Sequence, residues 1–247
     1  MYSRRTYSLL KILTLLGLAF PNVAFGNEDA VLRALKLELD RSMKGFAAEP
    51  TPPYFLSYGV TETSTTVIVA SFGAITVDNA AKSRVLDVDM RVGSYQLDNT
   101  RPIRGVAFEL GRGTRGVSMP MGDDVEALRT IIWRATDKAY RSAAERYEKV
   151  LTNQKVKVRE EDTSADMSME KAYQFVQDIT PFTFDTTEWR DRVKAISSVF
   201  VGYPEIYSGQ ASFQADLVVK TNVNSEGSVV RVVEPIVKVF ITVKTKA

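Results

Sequence analysis

The chain contains no histidine and no cysteine in 247 residues. Histidine is the commonest general base near neutral pH and the commonest metal ligand. Cysteine is the strongest side-chain nucleophile at that pH and the soft metal ligand. Ser-His-Asp and Cys-His triads, redox dithiols, disulfides and nitrogen- or sulfur-ligated zinc sites are therefore closed to the chain on its own. Carboxylate chemistry, Ser-Lys nucleophiles and oxygen-only Mg or Ca sites remain open. Without disulfides, stability must come from a core. A hydrophobic content of 45% supplies enough side chains for one.

Charge of either sign is not in excess either. The formal net charge is +2, from 32 basic and 30 acidic side chains. Arg4, Arg5 and Lys11 belong to an N-terminal segment that reads as a leader: basic residues, a largely apolar run from Ile12 to Phe20, then Pro21 to Gly26. Ala24 and Gly26 are the small residues at −3 and −1 of a signal-peptidase site, which predicts cleavage before Asn27 and an exported, periplasmic or secreted protein. Adjacent Arg4 and Arg5 leave Sec and twin-arginine export both open. Removing three basic and no acidic side chains leaves 29 against 30, so the remaining chain is nearly neutral. That balance gives no reason to expect nucleic acid as a partner. No later stretch approaches the ~20 apolar residues of a transmembrane helix, so no membrane insertion is expected after leader cleavage.

Residues 27–247 read as a single α+β domain. Asp29 to Phe46 has Val31, Leu32, Leu35, Leu39 and Met43 at helical spacing, with Asn27 as the expected cap and Gly45 near the end. Pro50, Pro52 and Pro53 then forbid helix. Three strands are expected next, over 54–62, 65–77 and 83–95, the last alternating Leu86, Val88, Met90 and Val92 with Asp87, Asp89 and Arg91. An irregular, glycine-rich stretch follows from Gln96 to Gly122. The longest helix is predicted from about Asp123 to Leu151, with residues 155–168 as a charged surface excursion. A third helix runs from about Thr187 to Phe200, capped by Thr186 or Thr187. Strands over 206–223, 228–233 and 236–246 close the chain, with a turn at Asn224 to Gly227. The expectation is an antiparallel sheet from two three-stranded meanders packed with three helices, one of them long. The order helix then three strands occurs twice, without residue-level identity between the halves.

Chemical motifs are sparse. The segment Gly111-Arg112-Gly113-Thr114-Arg115-Gly116 lacks the Gly-Lys-Ser/Thr ending of a phosphate loop. It reads as a basic loop whose Arg112 and Arg115 can meet a carboxylate of a partner chain or peptide. Asp87 and Asp89 share a sheet face, where solvated pairing with Arg84 and Arg91 competes with a hard-metal site. Asp123 or Asp124 reads as a helix cap. There is no Gly-x-Ser-x-Gly elbow. Tyr54, Tyr58, Tyr203 and Tyr207 read as sheet packing, with peptide contact beside Tyr54 and Tyr58 as the alternative. No catalytic, metal or cofactor residue is assigned.

Seven strings carry a family likeness: Leu39-Asp40-Arg41-Ser42-Met43, Pro53 to Tyr58, Ala70-Ser71-Phe72-Gly73-Ala74, Arg91-Val92-Gly93-Ser94-Tyr95, Leu97-Asp98-Asn99-Thr100, Trp133 to Tyr140, and Val223 to Gly227. In this order the chain resembles the N-terminal domain of the TldD/PmbA metallopeptidase-related proteins, in an exported branch. The resemblance implies an α+β domain normally followed by a β-rich domain that carries zinc on H-E-x-x-x-H and a later cysteine. None of those metal residues exists here, so none is carried over. The expectation is a non-catalytic module of a secreted TldD/PmbA-like peptidase system, inactive alone, shaping a peptide channel or pairing with a metal-bearing chain. The alternative is an independent exported peptide- or envelope-binding protein; a hydrolase working through carboxylates is a third reading. The strand Ile236 to Lys246 carries four β-branched residues on one face, and an uncovered edge or face there predicts a homo-oligomer or a complex with a full-length relative.

Overall fold

A computed structural model describes residues 29–103, 114–156 and 164–246. The leader, the first half of the Gly111–Gly116 segment, including Arg112, and the middle of the 155–168 excursion lie outside them. Three helices, α1 (Ala30–Phe46), α2 (Val125–Val156) and α3 (Thr186–Ser198), stand against six strands: β1 (Pro53–Ser71), β2 (Ala74–Val92), β3 (Thr114–Ser118), β4 (Gln174–Val176), β5 (Ile206–Asn224) and β6 (Val229–Thr245). They form one sheet in the order β3-β2-β1-β5-β6-β4, antiparallel except for the β4–β6 pair. The α+β class follows.

The strand boundaries differ from the sequence expectation. Each predicted meander is a hairpin of two long strands. Residues 63–66 are Thr-Ser-Thr-Thr, polar but suited to a pleat, and β1 runs through them paired with Ser83 to Ala80. Asp78 and Asn79 likewise stay in β2, opposite Ile68 and Val67. The chain reverses only at Phe72-Gly73, both at positive φ (48° and 85°), as a two-residue hairpin turn of the primed type requires. Pro235 does not interrupt β6, because β6 lies beyond β5 on the outer side of the hairpin and an edge strand tolerates a missing donor. The pattern repeat is real at this level: α1-β1-β2 and α3-β5-β6 are each a helix followed by a long hairpin, set side by side with β1 antiparallel to β5.

All three helices cover the same sheet face. Leu56, Tyr58 and Val60 of β1, Leu86, Val88, Met90 and Val92 of β2, and Val223 and Val229 form one core with α1 and α2. Ile68, Ala70, Ala211, Phe213 and Ala215 form a second, smaller core under α3. There Trp189 stacks on Phe213 at 4.0 Å between centroids, and Phe184 meets it edge-on at 5.3 Å. Even-numbered β1 positions serve both cores, so the two sit at opposite ends of one face. Between them opens a cleft of about 540 Å³ lined by Ser64, Thr66, Phe182, Phe184 and Leu217.

Buried polar groups attach the helices. Asp29, rather than Asn27, caps α1 by accepting from Leu32 N at 2.8 Å, and the same carboxylate pairs with buried Arg231. Arg84 does not join Asp87 and Asp89. It lies on the helix face, where it donates to Glu62 (2.8 Å) and to the carbonyls of Pro120 and Gly122, and pairs with Asp123 at 3.3 Å, holding the chain that leads into α2. Asp124 caps α2, and Asp185, one residue before the predicted Thr186, caps α3. Glu38 is buried and bridged by Arg41 and Arg129 across α1 and α2.

Candidate functional site

Among the described residues the opposite face of the sheet carries no helix, and two features there and at its edge are candidates for function. The first is a polar cleft of about 330 Å³. Its floor is Gly59, flanked in register by Asp87 on β2 and Asn222 on β5. A Cβ at Gly59 would come within 2.9 Å of the Asn222 side-chain oxygen, so glycine is what lets the amide lie across the floor. Ser57 and Asp89 close one end, Thr61 and Lys220 the other. Asp87 accepts from Gly116 N at 2.9 Å, which ties β3 to the sheet, and Lys220 pairs with Glu234 at 2.8 Å. One oxygen of Asp89 is buried without a hydrogen-bond partner among the described residues, while the other faces Arg91 at 3.5 Å.

Beside the cleft, Arg91 reaches the fully buried Asp98 at 3.1 Å, and Tyr54 donates to the same carboxylate at 2.6 Å. Burial and the neighbouring Asp98 carboxylate hold the Tyr54 phenol well above its ordinary pKa. For Arg91, burial works against the charged form, but Asp89 and Asp98 together outweigh it and the pKa moves up. Thr100 satisfies the second Asp98 oxygen through both its N–H and its hydroxyl, and Asn99 bonds Val92 N and Met90 O. The Leu97-Asp98-Asn99-Thr100 string is thus a loop staple. Arg101 pairs with Asp166 at 2.9 Å, so the end of the 155–168 excursion packs onto this staple rather than standing free.

The second feature is β6. Beyond Arg231 and Val233, which meet β4 and Gln177, nothing among the described residues pairs with its outer edge. Val237, Val239, Ile241 and Val243 are 42–58% exposed on the helix-bearing side, because α3 reaches across β1 and β5 but stops short of β6. Phe240 is 53% exposed on the other side, and Val199, Val201, Tyr203 and Tyr207 are exposed near the same end.

Of the partner- or peptide-contact residues singled out from sequence, the described ones do not form one site. Tyr58 is fully buried, its hydroxyl 2.7 Å from Thr136 and 3.4 Å from Ser42, and offers no surface to a peptide. Its even-numbered position places it under α1 and α2, and burial pushes its pKa up to about 12. Tyr54 is half-buried and serves the Asp98 network. Tyr203 and Tyr207 lie at the other end of the sheet and are exposed rather than packed. Arg115 lies on β3, not in a loop. Asp87 and Asp89 share a face as expected. Among the described residues no group of three or more acidic side chains is gathered as for a metal. Gly59 and the Asp98 staple were missed as features. A glycine amid β-branched residues was the available signal for the first.

No protein-family model matches the chain, and no curated protein matches it. Solved structures with a similar fold include a candidate modulator of a DNA gyrase from Thermotoga maritima (10% identity, TM-score 0.45), TldE from Thermococcus kodakarensis (12%, 0.46) and a candidate modulator of DNA gyrase from Bacteroides thetaiotaomicron (10%, 0.48). The likeness is one of fold. It covers 85–87% of this chain, which spans about 40% of the length of those proteins. Among the described residues no helix is long and apolar enough to cross a membrane.

Proposed function

We propose that this chain is an exported, non-catalytic association module of a TldD/PmbA-like system, which works by pairing with another chain. The observation that carries the reading is β6, an edge strand whose Val237, Val239, Ile241 and Val243 stand exposed in one row. An unpaired edge with an apolar face is what sheet extension by a second polypeptide uses. The seven family strings favour a metal-bearing relative as one such polypeptide. Without histidine or cysteine the chain has no residues for the family's zinc motif, which favours a reading in which a metal-bearing partner supplies that chemistry. Cleavage before Asn27 completes the reading, and mass spectrometry of the exported protein is expected to find that new N-terminus.

The catalytic half of the proposal has a direct test. After dialysis, metal analysis of residues 27–247 is expected to find no stoichiometric zinc, and peptide substrates are expected to remain intact. One tightly held zinc per chain, or hydrolysis that survives chelation, would contradict it. The cleft at Gly59 favours the second reading, an independent exported binding protein. Asp87 and Asp89 would there receive a cationic group of a peptide, and loss of peptide binding in Asp89→Asn would mark it.

A further inference from the structure

Resting on the reading of the chain as a pairing module, we infer that β6 pairs antiparallel with β6 of a second copy, about a two-fold axis at Phe240. The edge geometry sets which backbone groups are available. Val229 N donates to Tyr173 O, Arg231 O accepts from Gln177 N, and Val233 N donates to the Gln177 side chain, so odd-numbered residues of β6 turn their polar backbone outward. Lys246 N bonds inward to Glu205 O. By the same alternation Val237, Val239, Ile241 and Val243 present N–H and C=O to the open edge, and none of these groups has a partner among the described residues.

Charge and proline then select the register. An axis at Lys238 sets that lysine against itself, an axis at Ile241 sets Lys238 against Lys244, and an axis at Thr242 sets Lys238 against Lys246. Like charges directly opposite destabilise a pair. An axis at Val239 avoids this but places Pro235, which has no N–H, opposite Val243 in a hydrogen-bonded pair. An axis at Phe240 sets no like charges opposite each other and moves Pro235 out to Thr245, the last residue of β6, where the missing donor costs an end bond rather than an interior one. It pairs Val237 with Val243 of the second copy and Val239 with Ile241 of the second copy, each twice by symmetry. Phe240 meets its own equivalent, Lys238 meets Thr242, Ile236 meets Lys244, and Glu234 meets Lys246. Lys238 already leans away from the edge toward Asp216, at 3.4 Å. The joined sheet carries the exposed valines and Ile241 of both copies as one apolar strip beside the two α3 helices. The symmetry closes the pair, which limits the edge to one partner.

The absence of cysteine makes the register measurable, since a single introduced cysteine can form a disulfide only between chains. On the axis, Phe240→Cys occupies a non-hydrogen-bonded pair with Cα atoms about 4.5 Å apart, inside the range of a disulfide. Lys238→Cys and Thr242→Cys each lie about 13 Å from their own equivalents at ~3.4 Å per residue. Mild oxidation of the leaderless protein is therefore expected to cross-link Phe240→Cys at least tenfold faster than Lys238→Cys or Thr242→Cys. Mixing the last two is expected to give a heterodimeric disulfide. Equal rates at the three positions, or no cross-linking of Phe240→Cys at micromolar protein, would overturn the inference. Binding to a metal-bearing relative, measured separately, tests the module reading. If that complex forms while Phe240→Cys stays monomeric, this inference fails and the module reading stands.

Discussion

At the scale of single residues, the helix-bearing face carries its polar groups satisfied and paired, and Tyr58 shows what that does. Its ring fills the α1/α2 core and its hydroxyl meets Thr136 and Ser42. Burial disfavours the phenolate, so the folded pKa rises from 10.0 to about 12. A raised folded pKa means stability that is complete below the unfolded value and is lost as pH climbs through the folded one. The loss therefore falls between pH 10 and about 12. Tyr58→Phe removes the titrating group. It is expected to cost about 1 kcal/mol at pH 7, for the hydrogen bond, and to flatten the alkaline fall in stability over that window. Urea unfolding followed by circular dichroism at pH 7, 10 and 11.5 checks both effects. An unchanged alkaline slope would show that other groups, Tyr54 among them, carry it.

At the scale of elements, each helix is fastened to the sheet by a carboxylate–guanidinium pair at or near its start. Asp29 is the sharpest case, since one side chain both caps α1 and neutralises Arg231, itself 8% exposed. Asp29→Ala is expected to cost about 2–4 kcal/mol, combining a lost cap with an unpaired buried charge. Asp29→Asn keeps the cap acceptor and is expected to fall between it and the native protein. Equal losses in the two variants would assign the whole effect to the ion pair. The elements themselves were largely legible in the sequence. Helical stripes at Val31 to Met43 and Leu128 to Tyr147, and the alternation of Leu86 to Val92, each follow from one buried face. Strand ends were less legible, because Thr63-Ser64-Thr65-Thr66 and Asp78-Asn79 are turn-like in composition yet stay paired inside long hairpins. Tertiary pairing overrides local preference there. Arg84 was misplaced for a related reason: its charge suggested the wet face, whereas its even-numbered position puts it with Leu86 and Val88. Neither the cleft at Gly59 nor the Asp98 staple was legible, since each joins strands or loops distant in the chain.

At the scale of the whole molecule, among the described residues a six-stranded sheet keeps its helices on one face and leaves the other face without a helix and most of the outer edge of β6 unpaired. Two cores at opposite ends of one face, separated by an open cleft, make the hairpins the continuous structural frame. On the proposed reading, function resides in the edge that the frame presents to a second chain. Light scattering coupled to size-exclusion chromatography, run on residues 27–247 and on Val239→Pro over a micromolar dilution series, tests that most directly. The account predicts a mass of two chains for the native sequence, alone, falling to one chain for the proline variant at unchanged far-ultraviolet dichroism. A strict monomer for both, with no complex on adding a metal-bearing TldD/PmbA-like chain, would contradict it.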